Sequence, residues 1–397
     1  MGASHRYTAR NEPMNQIPVH PALKKDRNLD VAFFGSVGMG SVYPVDFDLY
    51  LLSGQWRWGD DRRYTYAAGF IRTIEHRMIA PDRFYRLAEA RRTEDVFSML
   101  GDTDYAQAYQ DDMGASEAVY DINRILSDEE KRVKTLVDSL SQDTEVTDLL
   151  FVPYDYFNVK LAVKSIHRGM DARESFSELG TVSPLTILQE VRDPEKSGDL
   201  PDHLREAAIV ARDAYDAEKN PVDIDLAVDR IMYEYLISQA KKKRELLLYK
   251  LFVMEVDITN ILTFLRLKWL KEPQAAFSEG YIEGGSIELS RFIEEYPREI
   301  EEVETDFFVK TEYADLTGDG IPYLKSATTF SRLESLMDNE ILRLLDRVRL
   351  INFGVEVLID YFYRKNIEIQ KLRTVVLGKE NGLGADDIKM RLGYVAK

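Results

Sequence analysis

The sequence predicts an all-α protein built from three similar helical-bundle units, and three observations carry that prediction. Apolar residues recur at spacings of three and four through most of the chain, as in Phe70, Ile74 and Met78 or Phe84 and Leu87. The alternation of β-branched and polar residues that marks strands is scarce. Two short motifs recur three times at matched separations, which is the mark of repeated structural units.

The elements follow in chain order. Residues 1–29 are polar, proline-bearing and aperiodic, and are expected to be a loose arm. Residues 31–63 are rich in Gly, Tyr and Trp with one apolar run, DFDLYLL, and fit a small hairpin or an irregular patch. Residues 1–63 together form a short irregular N-terminal extension. From Tyr64 onward YAAGFIRTIEHRMI, DRFYRLAEARRTEDVFSML, SEAVYDINRIL, DLAVDRIMYEYLISQAKKKRELLLYKLF and SRLESLMDNEILRLL all read as helices. Breaks are expected at Pro153, Gly169, Gly180, Pro184, Pro194, Pro201, Pro221, Pro273, Gly280 to Gly285, Pro297, Gly318 to Pro322, Gly354 and Gly378.

The first motif is an acid with a polar residue three places on. It occurs as Asp155 with Asn158, Asp257 with Asn260 and, in a weaker form, Glu368 with Lys371. Positions i and i+3 share a helix face, so each of the first two pairs presents a carboxylate beside an amide. Glu368 to Arg373 is expected to open the third such helix. Upstream of each lies a second motif, an acid followed four places later by Asp: Glu117 to Asp121, Asp225 to Asp229 and Glu334 to Asp338. A third echo, TDYA at Thr103 and TEYA at Thr311, is missing from the middle unit. The units run about 64–170, 171–273 and 274–397, and an arc or a pseudo-threefold cup is their natural product.

Composition narrows the function. The chain of 397 residues carries 52 Lys and Arg against 69 Asp and Glu, a formal charge of −17 that repels phosphate backbones and favours basic partners. It has no cysteine, which removes disulfides, thiolate metal sites and cysteine nucleophiles. No apolar window reaches the roughly 18–20 residues of a membrane span. The run from Val31 to Val45 is too short and lacks the order of a signal peptide, so a cytoplasmic protein is expected.

Candidate chemistry is thin. Because the acids repeat at equivalent positions, capping or tying a neighbouring helix is favoured over acid–base catalysis by Asp155 and Asp257. The five histidines are scattered without ligand spacing, and no GxSxG elbow exists. GSVGMGS at Gly35 lacks the Lys-Ser/Thr of a phosphate loop. DLTGDG from Asp315 starts like a calcium loop, but Ser326 stands where a bidentate Glu is needed, so a loop between helices is expected. No cofactor or metal is expected. Lys241, Lys242, Lys243 and Arg244 form the dense basic cluster of the chain, read either as a solvated helix face or as a surface for lipid headgroups or an acidic partner.

The stretch from Asp338 to Val395 resembles the C-terminal region of the C subunits of archaeal and bacterial A/V-type rotary ATPases, whose eukaryotic equivalent is the d subunit of the V-ATPase. The residues that carry the likeness are Asp338-Asn339, Phe353-Gly354 with Glu356, Tyr361, Glu368, Leu372-Arg373, Gly378-Lys379, Gly382-Leu383 and Arg391-Leu392. Asp155 with Asn158 and Lys160, Asp257 with Asn260, and YAAGFIRTIEHRMI with Thr103 to Tyr105 are similar to the family's earlier motifs. Lys371 departs from the family's usual Asn, and residues 1–63 lie outside the pattern. The resemblance implies a funnel of three units around a pseudo-threefold axis. It also implies a non-catalytic socket on the cytoplasmic face of the membrane rotor ring, receiving the central shaft subunits. A free-standing helical scaffold for a soluble basic partner is the alternative.

Overall fold

The computed structural model describes residues 56–106, 122–193 and 200–393, and these are helical with no strand among them. The expected loose arm, most of the 31–63 patch with GSVGMGS, and the Glu117–Asp121 motif lie outside the described residues.

The first helices are α1 (Thr65–Ile74), α2 (Pro81–Glu89), α3 (Thr93–Ser98) and α4 (Ile122–Leu140). A short turn of helix, Thr144–Thr147, leads to α5 (Val152–Arg168), and then come α6 (Pro184–Arg192), α7 (Asp202–Glu218), α8 (Pro221–Lys243) and α9 (Leu246–Trp269). The last part holds α10 (Gln274–Gly280), α11 (Leu289–Glu295), α12 (Ile300–Asp306), α13 (Ala314–Ala327), α14 (Ser331–Leu345), α15 (Glu356–Glu380) and α16 (Ala385–Arg391).

Local chemistry sets many of the ends. Proline sits in the first turn of α2, α5, α6 and α8, where its fixed φ suits the helix and its missing N–H costs nothing. Asn220 accepts from the Val222 N–H to cap α8, and Gly169 ends α5 at φ +63°, in the left-handed region.

Three corrections concern glycine and register. Gly318 to Pro322, read as a break, lies inside α13, so DLTGDG is helix and its oxygens do not converge as a calcium loop would require. A Cβ on Gly320 would stand 2.3 Å from Leu333 Cδ2, and one on Gly378 would stand 2.8 Å from Ile388 Cγ1. Both glycines therefore serve close helix packing, α13 on α14 and α15 on α16, and break nothing. Likewise Glu368 does not open a helix: α15 starts twelve residues earlier, at Glu356, with no breaker between. In α1 the buried side is Ala67, Ala68 and Ile71, and Phe70 faces out.

Among the described residues the apolar side chains pack into three cores. The largest gathers the beginnings of the three long helices: Phe151, Val152 and Tyr156 with Leu248, Leu251 and Phe252 and with Val357, Leu358 and Phe362. Phe151 and Phe362 meet edge to face at 5.1 Å. A second core lies between the later half of α9 and α10 to α14. The third joins the early chain, Phe84, Leu87, Phe97 and Leu126, to the later half of α15 and α16 through Leu372, Val375 and Ile388. The two ends of the described chain thus share one core, each large side chain in it worth about 1.5–3 kcal/mol by burial.

Candidate functional site

The first motif builds a clasp. On α5, Asp155 is fully buried and accepts from the N–H groups of Thr181 and Val182, both at 3.0 Å, and from the Thr181 hydroxyl at 2.6 Å. One turn on, the Asn158 amide exchanges two bonds of 2.8 Å with the backbone N–H and C=O of Ser177. The loop so held leads directly into α6. On α9 the arrangement recurs: Asp257 accepts from Ser286 N–H at 3.0 Å, Ile287 N–H at 3.1 Å and the Ser286 hydroxyl at 2.6 Å, while Asn260 exchanges bonds with Ile282. That loop leads into α11.

Such pairs spend most of the hydrogen-bonding capacity of a carboxylate on donors of an otherwise orphaned loop, which suits fixing a chain. Burial raises the pKa of both aspartates, and the hydroxyl and N–H donors pull against it.

Close approach needs glycine. A Cβ on Gly180 would lie 2.1 Å from Asp155 Oδ1, and one on Gly285 2.2 Å from Asp257 Oδ1. Gly285→Ala is therefore expected to expel the carboxylate and destabilise the chain by about 2–3 kcal/mol, as orphaned buried donors do. Gly318→Ala, where nothing lies within 4 Å, should instead stabilise by up to about 1 kcal/mol. Melting curves of the two variants check the contrast.

The third clasp closes the chain on itself. Glu368 on α15 accepts from the Ile79 N–H at 2.6 Å, in the loop entering α2, and from the Tyr105 hydroxyl at 2.8 Å. Tyr313 donates in the same way to Asp257 at 2.9 Å, so the TDYA and TEYA echoes are the tyrosines of two equivalent clasps. Here the amide pair is absent. Lys371 is buried and faces the field of Asp338, which burial pushes up to about 6; burial brings Lys371 down to about 8. An ionic cluster stands in: the wholly buried Lys365 reaches Glu368 at 2.6 Å, Glu129 at 2.8 Å and Asp104 at 3.2 Å, and Arg132 binds Glu129 and Asp104 from outside. Arg373 lies off the clasp and contacts Glu130 on α4 at 3.3 Å.

The second motif also meets the long helices. Lys160 pairs with Asp229 at 2.7 Å and Lys164 with Asp225 at 2.5 Å; Arg266, nine residues after Asp257 as Lys164 is after Asp155, pairs with Glu334. Sequence reasoning named Lys160 but missed Lys164, Arg266 and every ion-pair partner, and it missed the role of the Gly-Thr and Gly-Ser steps at 180–181 and 285–286. The signal was present, since each step follows its acid by 25 or 28 residues.

Lys241, Lys242 and Lys243 form the last turn of α8, where cations suit the helix dipole, and Arg244 caps it at φ +61°. Lys243 pairs with Glu145 at 2.8 Å, and Lys241 lies over the Tyr249 ring.

No helix among the described residues is long and apolar enough to cross a membrane. A family model described as "ATP synthase (C/AC39) subunit" matches residues 67–391. The chain is 24% identical over 345 residues to the C subunit of the A-type ATP synthase of Thermococcus gammatolerans, covering 83% of this chain and 90% of that one. It is 22% identical over 330 residues to the C subunit of the V-type sodium ATPase of Enterococcus hirae, covering 82% and 96%. The matched span takes in all three clasps, from Ile79 to Glu368, and with it the chain belongs to the ATP synthase (C/AC39) subunit family.

Proposed function

We propose that this chain is a non-catalytic central-stalk part of an A/V-type rotary ATPase, a socket on the cytoplasmic face of the membrane that couples the shaft subunits to the membrane rotor ring. On this reading its three units, about 64–170, 171–273 and 274–397, surround a pseudo-threefold axis, and Asp155, Asn158, Asp257, Asn260 and Glu368 are structural joints. The observation that carries the reading is the spread of the clasps: on these unit bounds each long helix grips a loop of the next unit, and the last returns to the loop at Ile79 in the first. A closed circuit of buried, directional bonds resists shear between its parts, which torque transmission requires. The surplus negative charge suits basic faces on the partners. Lys241 to Arg244 then offer a basic surface for lipid headgroups or an acidic partner beside the same long-helix starts.

The test is co-purification from solubilised membranes. The chain is expected to travel with ring, shaft and ATP-hydrolysing subunits. Recovery from the soluble fraction alone, without them, favours the free-standing scaffold and sinks the proposal.

A further inference from the structure

Three acids occupy the same place in the three units. Asp143, Glu245 and Glu356 stand twelve residues ahead of 155, 257 and 368. Each lies at the start of a long helical run: Asp143 precedes the turn that leads to α5, Glu245 is the residue just ahead of α9, and Glu356 is the first residue of α15. Glu245 and Glu356 are buried. Acids are welcome at helix starts, where N–H groups point outward, but three gathered at one hub repel one another. Burial, reinforced by Glu356, pushes Glu245 up to about 7.

One short stretch of chain touches all three. The Arg57 guanidinium lies 3.5 Å from Glu245 Oε1, the Gly59 N–H donates to Glu356 Oε1 at 2.5 Å, and the Arg63 guanidinium donates to both oxygens of Asp143 at 3.0 and 2.6 Å. The backbone joins in, since Arg57 N–H donates to the Arg244 C=O at 2.7 Å, and the Trp56 ring stacks on Tyr249 at 4.8 Å. Gly59 has φ +61° and sits against Ile351, so this path is specified by the sequence and is no casual surface contact.

We propose that residues 56–63 are a strap that latches the starts of the three long helical runs together at the hub, seating and releasing as one piece. Because each unit contributes one acid, the strap reads the relative position of all three at once. It also covers the hub beside the basic cluster, where a cavity of about 570 Å³ is lined by Trp56, Arg57, Asp143, Glu145, Lys242 and Lys243. A partner that reaches the hub acids has to displace it.

Hydrogen exchange on the full-length chain, read by mass spectrometry, tests the latch. Asp143→Asn, Glu245→Gln and Glu356→Gln are each expected to speed exchange across the whole of 56–63 by at least about tenfold, leaving the 258–336 core unchanged. Arg57→Gln and Arg63→Gln alter exposed side chains and preserve the fold, and either alone should give the same release together with loss of the Trp56–Tyr249 contact in fluorescence. Exchange that quickens only at the substituted contact, or not at all, overturns the proposal.

Discussion

Replacing Asp155 and Asp257 together by asparagine is expected to lower the melting temperature by about 5 °C or more without removing any enzymatic turnover. Each carboxylate is buried and accepts from two backbone N–H groups and a hydroxyl, and Asp257 from Tyr313 as well. Asparagine keeps the shape but turns an NH2 toward at least one of those donors. A buried donor without an acceptor costs about 1–3 kcal/mol, more where the lost acceptor was charged. The two sites share no partner, so their costs should add. Because the shift per kcal/mol falls with chain length, to about 1–2 °C at this size, two clasps at about 2–3 kcal/mol each give the stated shift. Differential scanning calorimetry measures it, and membrane co-purification shows whether assembly falls with it. An unchanged melting curve would remove the structural role assigned to the acids.

Lys365→Met is the second large effect. Its side chain has no exposure, and its ammonium stands between Glu368, Glu129 and Asp104. Methionine of similar length fills the space but takes the cation from Glu368 and leaves Glu129 and Asp104 to Arg132 and, for Asp104, Arg77, and breaking a buried ion pair from one side costs about 3–5 kcal/mol. Burial disfavours charge on Lys365, yet the acids win and hold its pKa above the ordinary lysine value. The loss should appear first where chain start meets chain end. Limited proteolysis is expected to cut near Ile79 and Tyr105 earlier than in the parent, while the α9 to α14 core stays resistant. Equal resistance of both regions would argue that the cluster is not what closes the chain.

The all-α class and most helices were legible in the sequence because a period of 3.6 residues survives in plain view. So were the acids, because Asp155, Asp257 and Glu368 repeat. Their partners were hidden for a geometric reason: Glu368 meets Tyr105 263 residues away, and no local pattern announces such a contact. Gly320 and Gly378 misled because glycine reads as a break, whereas here it admits Leu333 and Ile388 to the helix surface. Lys365 carried no signal at all, since a lysine in a helix reads as exposed until the acids around it are seen.

The bond from Ile79 to Glu368 has a consequence for how the protein is made. Helices α2 and α3 leave the ribosome early, yet the side chains that cover Phe84, Leu87 and Phe97 belong to α15 and α16. At about 5–20 residues per second, those covers arrive roughly 15–60 s later. For that interval the oldest part of the polypeptide waits with its apolar face open, and the newest part completes it.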